Sequence, residues 1–239
     1  MRARVEMRDK IVAYIRENRV STTEVADALG KSGVIPLVLP ICSDLFKVGP
    51  IRCVFTANES NYCVHEQIRH VQKGEVVVIF AHNCKDRAIL GDIVAKFILM
   101  YKGAEALVID GPIRDVAVLR RERFSIWAKG VNPIGCFNKI AAAFPEDLEK
   151  SLREHYDGGI AVCDDGGVAV IPPDRINEEM LSRLHLIEAQ EDVWRFCLNT
   201  LKWDTKQIVC DKEYLKQTDL LPKAFLENLE LLSLALDKK

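Results

Sequence analysis

Along residues 4–18 the apolar positions Val5, Ile11, Val12 and Ile15 stand among charges at helical spacing, which predicts an amphipathic first helix. Ser21-Thr22-Thr23-Glu24 follows as a capping box. The serine hydroxyl can accept from the amide three residues on, and the glutamate can bond back. A second helix is therefore expected over 25–29, stopping near Gly30. The pattern then changes to short β-branched runs bounded by breakers: 34–40, 52–56, 75–81, 104–109 and 125–129 read as strands. Between them, 61–72, 91–101 and 115–121 read as helices, and Asp110-Gly111-Pro112 reads as a turn. Residues 159–163 and 167–171 flank an Asp-Asp-Gly-Gly turn, a hairpin signal, and Pro172-Pro173 stops its ladder. After Ile176 the pattern is wholly helical. One long segment spans 177–201, with Met180, Leu184, Ile187, Ala189 and Trp194 among its apolar positions. Further helical pieces are expected over 206–239, where leucines stand at 226, 229, 231, 232 and 234. Alternating strands and helices predict an α/β fold, either doubly wound or layered. The expected division is one domain over 1–200 and a helical extension over 201–239.

Composition narrows the class. A chain of 239 residues can bury a proper core without disulfides or a structural metal. Its formal charge of -2 supplies no global field for nucleic acid or an anionic membrane. The cysteines, at 42, 53, 63, 84, 136, 163, 197 and 210, form no Cys-x-x-Cys pair. They read as thiols in a reducing compartment rather than as a zinc site or a disulfide framework. The first twenty residues lack the apolar core and cleavage site of a signal peptide, and no apolar run approaches a membrane span. The expected location is the cytoplasm.

The chemistry concentrates in 90–115, LGDIVAKFILMYKGAEALVIDGPIRD: a glycine turn, a helix, a strand, and a second turn carrying an arginine beside an aspartate. The first amides of the helix, around Asp92, Ile93 and Val94, have no intrahelical acceptor and can hold a carboxylate or phosphate. Arg114 offers a planar fork suited to an oxo acid, and Asp115 a hard oxygen suited to magnesium or manganese. Taken alone, the Arg-Asp pair also fits a surface ion pair or helix cap, and the Gly91 turn an ordinary helix start. His82 and Asn83 either line the entrance to such a site or are loop residues at a strand end. Asp110, Asp164 and Asp165 are expected to serve their turns.

Four stretches, STTEVADALG (21–30), LGDIVAKF (90–97), GAEALVIDGPIRDVAVL (103–119) and CDDGGVAVIP (163–172), together resemble one family. It holds 4-hydroxy-4-methyl-2-oxoglutarate aldolase and the regulator of ribonuclease E activity, protein A. The resemblance covers about residues 20–195. It implies a β-sheet sandwich or barrel flanked by helices, like the swivelling β/β/α domain of phosphohistidine proteins. It also implies a metal-dependent pyruvate aldolase, acting through a metal-stabilised enolate and commonly decarboxylating oxaloacetate. By that resemblance the amides of Gly91, Asp92, Ile93 and Val94 hold the substrate carboxylate, and Arg114 contacts substrate. Asp115 is the sole direct protein ligand of a divalent cation (magnesium, with manganese or cobalt accepted). Asp92 helps hold that cation's waters. Family members assemble as a homotrimer or homohexamer in which a neighbour's glutamate reaches those waters, a role that falls here on Glu191 or Glu188.

Three departures accompany the resemblance. The stretch 93–113 is one residue longer than the pattern implies, which could rotate Asp92 off the site. Val116-Ala117-Val118 stands where a carboxylate is usual, the next acid being Glu122. The lead FAHNCKDRAILGD is more polar than usual. The rival reading is a non-catalytic regulator that binds a ribonuclease; retention of Asp115 favours catalysis.

Overall fold

The structure, a computed structural model, describes residues 2–229. Its elements in chain order are α1 (Arg2–Asn18), α2 (Thr22–Ala28), β1 (Leu39–Pro40), β2 (Lys47–Ala57), α3 (Tyr62–Gln67), β3 (Val76–His82), α4 (Asp92–Lys96), β4 (Ala106–Ile113), α5 (Val116–Arg121), β5 (Ile126–Val131), α6 (Glu146–Tyr156), β6 (Ile160–Asp164), β7 (Gly167–Ile171) and α7 (Glu178–Phe196). The strands hydrogen-bond in the order β1-β5-β4-β3-β2-β6-β7. β2 through β5 are parallel, while β1, β6 and β7 join antiparallel.

The long β2 makes the layers. Lys47–Pro50 pairs with β6, whereas Ile51–Ala57 pairs with β3, so one strand serves two sheets. Alternation along the parallel strands then divides the core. Val54, Val77, Ile79, Leu107, Ile109 and Ile126 face one way, against Val64 and Ile68 near α3, Ala95 and Ile98 of the helix after Gly91, and Leu119 of α5. Phe55, Val78, Phe80, Val108 and Trp127 face the other way and pack with Ala161, Cys163, Val168 and Val170 of the hairpin. The buried Trp127 donates its indole N–H to the Asp164 carbonyl at 2.8 Å, tying the two sheets together. The result is a β/β/α sandwich, as the resemblance implied.

The capping box forms as expected: Ser21 Oγ accepts from the Glu24 amide at 3.2 Å, and the Ser21 amide donates to Glu24 at 2.7 Å. Asp164 does more than close its turn. Besides the Gly166 amide at 2.8 Å, it accepts from the Thr22 amide at 2.8 Å and the Thr22 hydroxyl at 2.6 Å, docking α2 onto the hairpin. Asp165 accepts instead from the Asp44 amide, at 3.1 Å.

Several expectations change. The run 34–40 is not a strand: it contributes one bridge at Val34 and the two residues of β1, because Leu37 takes a left-handed conformation with φ 62°. Asp110-Gly111-Pro112 is not a turn but part of β4, with the register shifting between Ile109 and Pro112. Asp110 pairs with Lys129 rather than capping amides. α6 carries acids in its first turn and bases in its last, a charge arrangement suited to its dipole. Its half-buried Leu152 and Tyr156 pack on the Phe55–Phe80 core.

The chain divides into compact units at 1–176 and 177–239, whereas the sequence reading placed the boundary at residue 200. α7 begins the second unit, capped by Asn177, which accepts from the Met180 amide at 2.9 Å. Its far end shares a small core with Ile208, Tyr214, Leu221 and Leu229, which accounts for its grouping with the carboxy-terminal residues. Residues 223–229 are helical; the expected helix positions Leu231, Leu232 and Leu234 lie outside the described residues. No described helix is long and apolar enough to cross a membrane. All eight cysteines are free thiols, five of them buried.

Asp164→Ala removes three hydrogen bonds to one carboxylate and leaves the buried Thr22 hydroxyl without its acceptor. Denaturant unfolding is expected to show a loss of about 2–3 kcal/mol; a change below ~0.5 kcal/mol would mean the dock carries little stability.

Candidate functional site

The parallel strands present their carboxyl ends to one cleft, of about 170 Å³. β4 ends at Ile113, so Arg114 and Asp115 emerge at its rim. The loop from β3 to α4 is laced to the same rim: the Ile89 amide donates to the Pro112 carbonyl at 2.9 Å, and the Arg114 amide to the Leu90 carbonyl at 3.1 Å. Gly91, Asp92, Ile93, Val94, Arg114 and Asp115 all line the cleft.

Why these positions need these residues is set by the contacts. Asp115 adopts φ 61°, a left-handed conformation that aspartate tolerates better than most residues. Although it stands at the start of α5, its side chain does not cap that helix. It turns instead toward Gly91, and a Cβ at Gly91 would lie 2.0 Å from Asp115 Oδ2. Only glycine permits that approach. The same oxygen accepts from the Asp92 amide at 3.3 Å, and Asp92 Oδ1 accepts from the Ile93 amide at 2.8 Å. The open helix end thus already gathers two carboxylate oxygens, as its unpaired amides should.

Arg114 lies across Gly135, where a Cβ would stand 2.7 Å from Nη1. Its Nε is 3.6 Å from Asp115 Oδ2, an ion pair rather than a hydrogen bond. With the two side chains 47% and 38% exposed, that pair contributes little stability. Its consequence is to set a guanidinium and a carboxylate side by side at the cleft.

The longer stretch 93–113 does not carry Asp92 away from the cleft. α4 runs on into a π turn, Phe97–Tyr101, whose Lys102 amide reaches five residues back to the Phe97 carbonyl at 3.0 Å. Such a turn absorbs an additional residue within a helix. The register shift in β4 is a second place where length is taken up. Glu122 pairs with Arg121 and does not line the cleft.

His82 and Asn83 are elsewhere, the strand-end alternative. The His82 ring packs edge-on to Phe144, and Asn83 donates to Asn58 at 2.8 Å. Sequence reasoning missed Asn61 and His65 from the start of α3, and Gly135, Cys136 and Asn138 from the loop after β5. The loop crosses to the β3–α4 loop through the Ala88 amide to Ile134 (2.8 Å) and the Cys136 amide to Ala88 (2.9 Å). A hydrogen bond between the Cys136 and Cys84 thiols lowers the Cys84 thiol and raises that of Cys136. Glu188 and Glu191 belong to α7, in the second unit. Glu191 pairs with Arg195 at 2.6 Å, while burial and then the neighbouring Asp192 and Glu191 raise Glu188.

Among the described residues no group of three or more His, Cys, Asp or Glu side chains could hold a metal ion. The carboxylate donors at the cleft are Asp115 and, nearby, Asp92; His65 and Cys136 also line it, but among the described residues they complete no metal-binding group with them. One or two hard carboxylates fit a cation that keeps most of its waters, as magnesium does; they do not fit zinc held by a protein cage.

Fold and site together define a β/β/α protein whose cleft joins a carboxylate-gathering helix end to a guanidinium and an acid. The chain belongs to the RraA-like family, described as Aldolase/RraA, whose pattern matches residues 22–170. One relative, from Halalkalibacterium halodurans, is named "Putative 4-hydroxy-4-methyl-2-oxoglutarate aldolase"; it is 27% identical over 174 residues, spanning 72% of this chain and 82% of its own. Among solved structures, an uncharacterized protein from Pseudomonas syringae superposes with a TM-score of 0.62 at 21% identity, over 78% of this chain and 86% of its own. Streptomyces coelicolor RraAS2, described as an unusual member of the RNase ES inhibitor RraA protein family, gives 0.60 at 22%, over 77% and 96%. Both share the fold.

Gly91→Ala should force the Asp115 carboxylate off the helix end. Denaturant unfolding is expected to show a loss of about 1–3 kcal/mol, and a crystal structure of the variant a rotated Asp115. An unmoved Asp115 would refute the steric account.

Proposed function

We propose that this protein is a divalent-metal-dependent lyase that cleaves 4-hydroxy-2-oxo acids to pyruvate and decarboxylates oxaloacetate. The observation that carries this reading is the convergence of Arg114, Asp115 and the helix end at Gly91 in one cleft. The family membership and the name borne by the relative from H. halodurans support it.

In this reading the substrate carboxylate binds the amides of 92–94, displacing Asp92 Oδ1 from the Ile93 amide and Asp115 Oδ2 from the Asp92 amide, where they now sit. Asp92 would thereby be free to accept hydrogen bonds from water beside Asp115. Asp115 would hold a magnesium, manganese or cobalt ion, which when bound would supply the electron-withdrawing centre for a bond beside the 2-oxo group. Arg114 lies where its guanidinium can pair with charge that grows on the substrate oxygen as that bond breaks. Arg114 and Asp92 are thus the catalytic residues and Asp115 the metal ligand.

Assembly belongs to the same reading. Ile93, Phe97, Met100 and Tyr101 stand exposed at helical spacing beside the cleft, an apolar stripe that a homotrimer or homohexamer would cover. A neighbour's Glu191 or Glu188 would then reach the site. Light scattering on the purified protein is expected to give three or six chains per particle; a monomer at micromolar concentration would count against it.

The activity test is pyruvate release from oxaloacetate with added magnesium, abolished by chelator. Asp115→Ala and Arg114→Ala are each expected to lose about 100-fold or more in kcat/KM. If metal-loaded wild type proves inactive across a panel of 2-oxo acids, the regulator that binds a ribonuclease becomes the better account.

A further inference from the structure

Asn61 is the N-cap residue just before α3, where an asparagine ordinarily turns back to accept from the helix it precedes. It does not do so: no side-chain capping bond forms. Its Nδ2 instead donates to the Ile89 carbonyl at 3.1 Å, two residues before Gly91. Its Oδ1 is buried and accepts from no described residue, although the residue is only 7% exposed and lines the cleft. Rotating the amide would not relieve this, because it would set two oxygens against each other at Ile89. A buried acceptor left unpaired costs about 1–3 kcal/mol. The main chain allows little adjustment: the Asn61 amide donates to the Phe137 carbonyl at 3.1 Å, and its carbonyl accepts from Val64 and His65.

We infer that Asn61 is a specificity-determining residue whose Oδ1 accepts the hydrogen of a substrate hydroxyl, so that the cleft selects 4-hydroxy-2-oxo acids over oxo acids lacking that group. The inference rests on the lyase reading and deepens it. Its chemical basis is that the pyruvate half of such a substrate bears only acceptors. A carboxylate and a 2-oxo oxygen pair with amides, a guanidinium and a cation; neither can satisfy an amide oxygen. Only the half beyond the scissile bond brings a donor, its hydroxyl. Oxaloacetate, ionised at both ends, brings none. A site that pairs with a substrate hydroxyl discriminates strongly against the analogue lacking it, because its own buried group then goes unsatisfied.

The test measures kcat/KM for 4-hydroxy-2-oxoglutarate and for oxaloacetate, with magnesium, in wild type, Asn61→Leu and Asn61→Ser. Serine favours a helix start, so the second variant retains a well-folded α3 even if leucine does not; circular dichroism verifies this. The expected result is a fall of roughly 10-fold or more in the ratio of hydroxy-acid to oxaloacetate kcat/KM in both variants. An unchanged ratio, whether both activities fall together or neither does, overturns the assignment and gives Asn61 a structural or water-binding role. Wild type that decarboxylates oxaloacetate but leaves the hydroxy acid intact also overturns it, with only the decarboxylase half of the lyase reading still standing. Wild type inactive on both removes that reading, and this inference with it.

Discussion

A missing side chain at residue 91 is the constraint on which the site depends. With no Cβ there, the Asp115 carboxylate can enter the space against the helix end and accept from the Asp92 amide. That contact sets the direction of Asp115 from a left-handed backbone position and brings Arg114 to the same rim. Two loops distant in sequence are thereby held edge to edge, with the carbonyls of Leu90 and Pro112 accepting amides across the seam. The favourable terms are individually small. The geometry is specified mainly by exclusion, since a larger residue at 91 or at 135 would collide with the acid or the guanidinium.

The layered core beneath explains why the rim stays put. Val77, Ile79, Leu107 and Ile109 are fully buried on the helical side, while Val76, Val78 and Val108 are equally buried beneath the hairpin. Strands covered on both faces are stiff supports for the loops at their carboxyl ends. Trp127 and Asp164 work to the same end, one joining sheet to sheet and the other sheet to helix.

Much of this was legible in the sequence. The capping box at Ser21, the hairpin around Asp164 and the four central strands have strong local signals: side-chain caps, turn residues and short apolar runs rich in β-branched residues. The Gly91 and Arg114-Asp115 segments were also legible, through the resemblance rather than through periodicity. What escaped depended on distant partners. The run 34–40 has a strand's composition but finds almost no strand to pair with. The turn-like Asp110-Gly111-Pro112 is held in β4 by its neighbour β5. α6 went unread because no residue of it is fully buried, and an element anchored by half-buried side chains leaves a weak apolar pattern. Asn61 and Cys136 carry no motif; they reach the cleft because their loops cross behind it, which spacing along a chain does not encode.

The π turn at 97–101 has a consequence for how such a chain can change over time. A helix that stores an additional residue as a local widening can lengthen or shorten downstream while its first turn keeps its place at the cleft. Insertions and deletions between the glycine and the arginine are therefore decoupled from the position of either end. A count of the residues between Gly91 and Arg114 is therefore a poor guide to whether the two ends meet at the cleft.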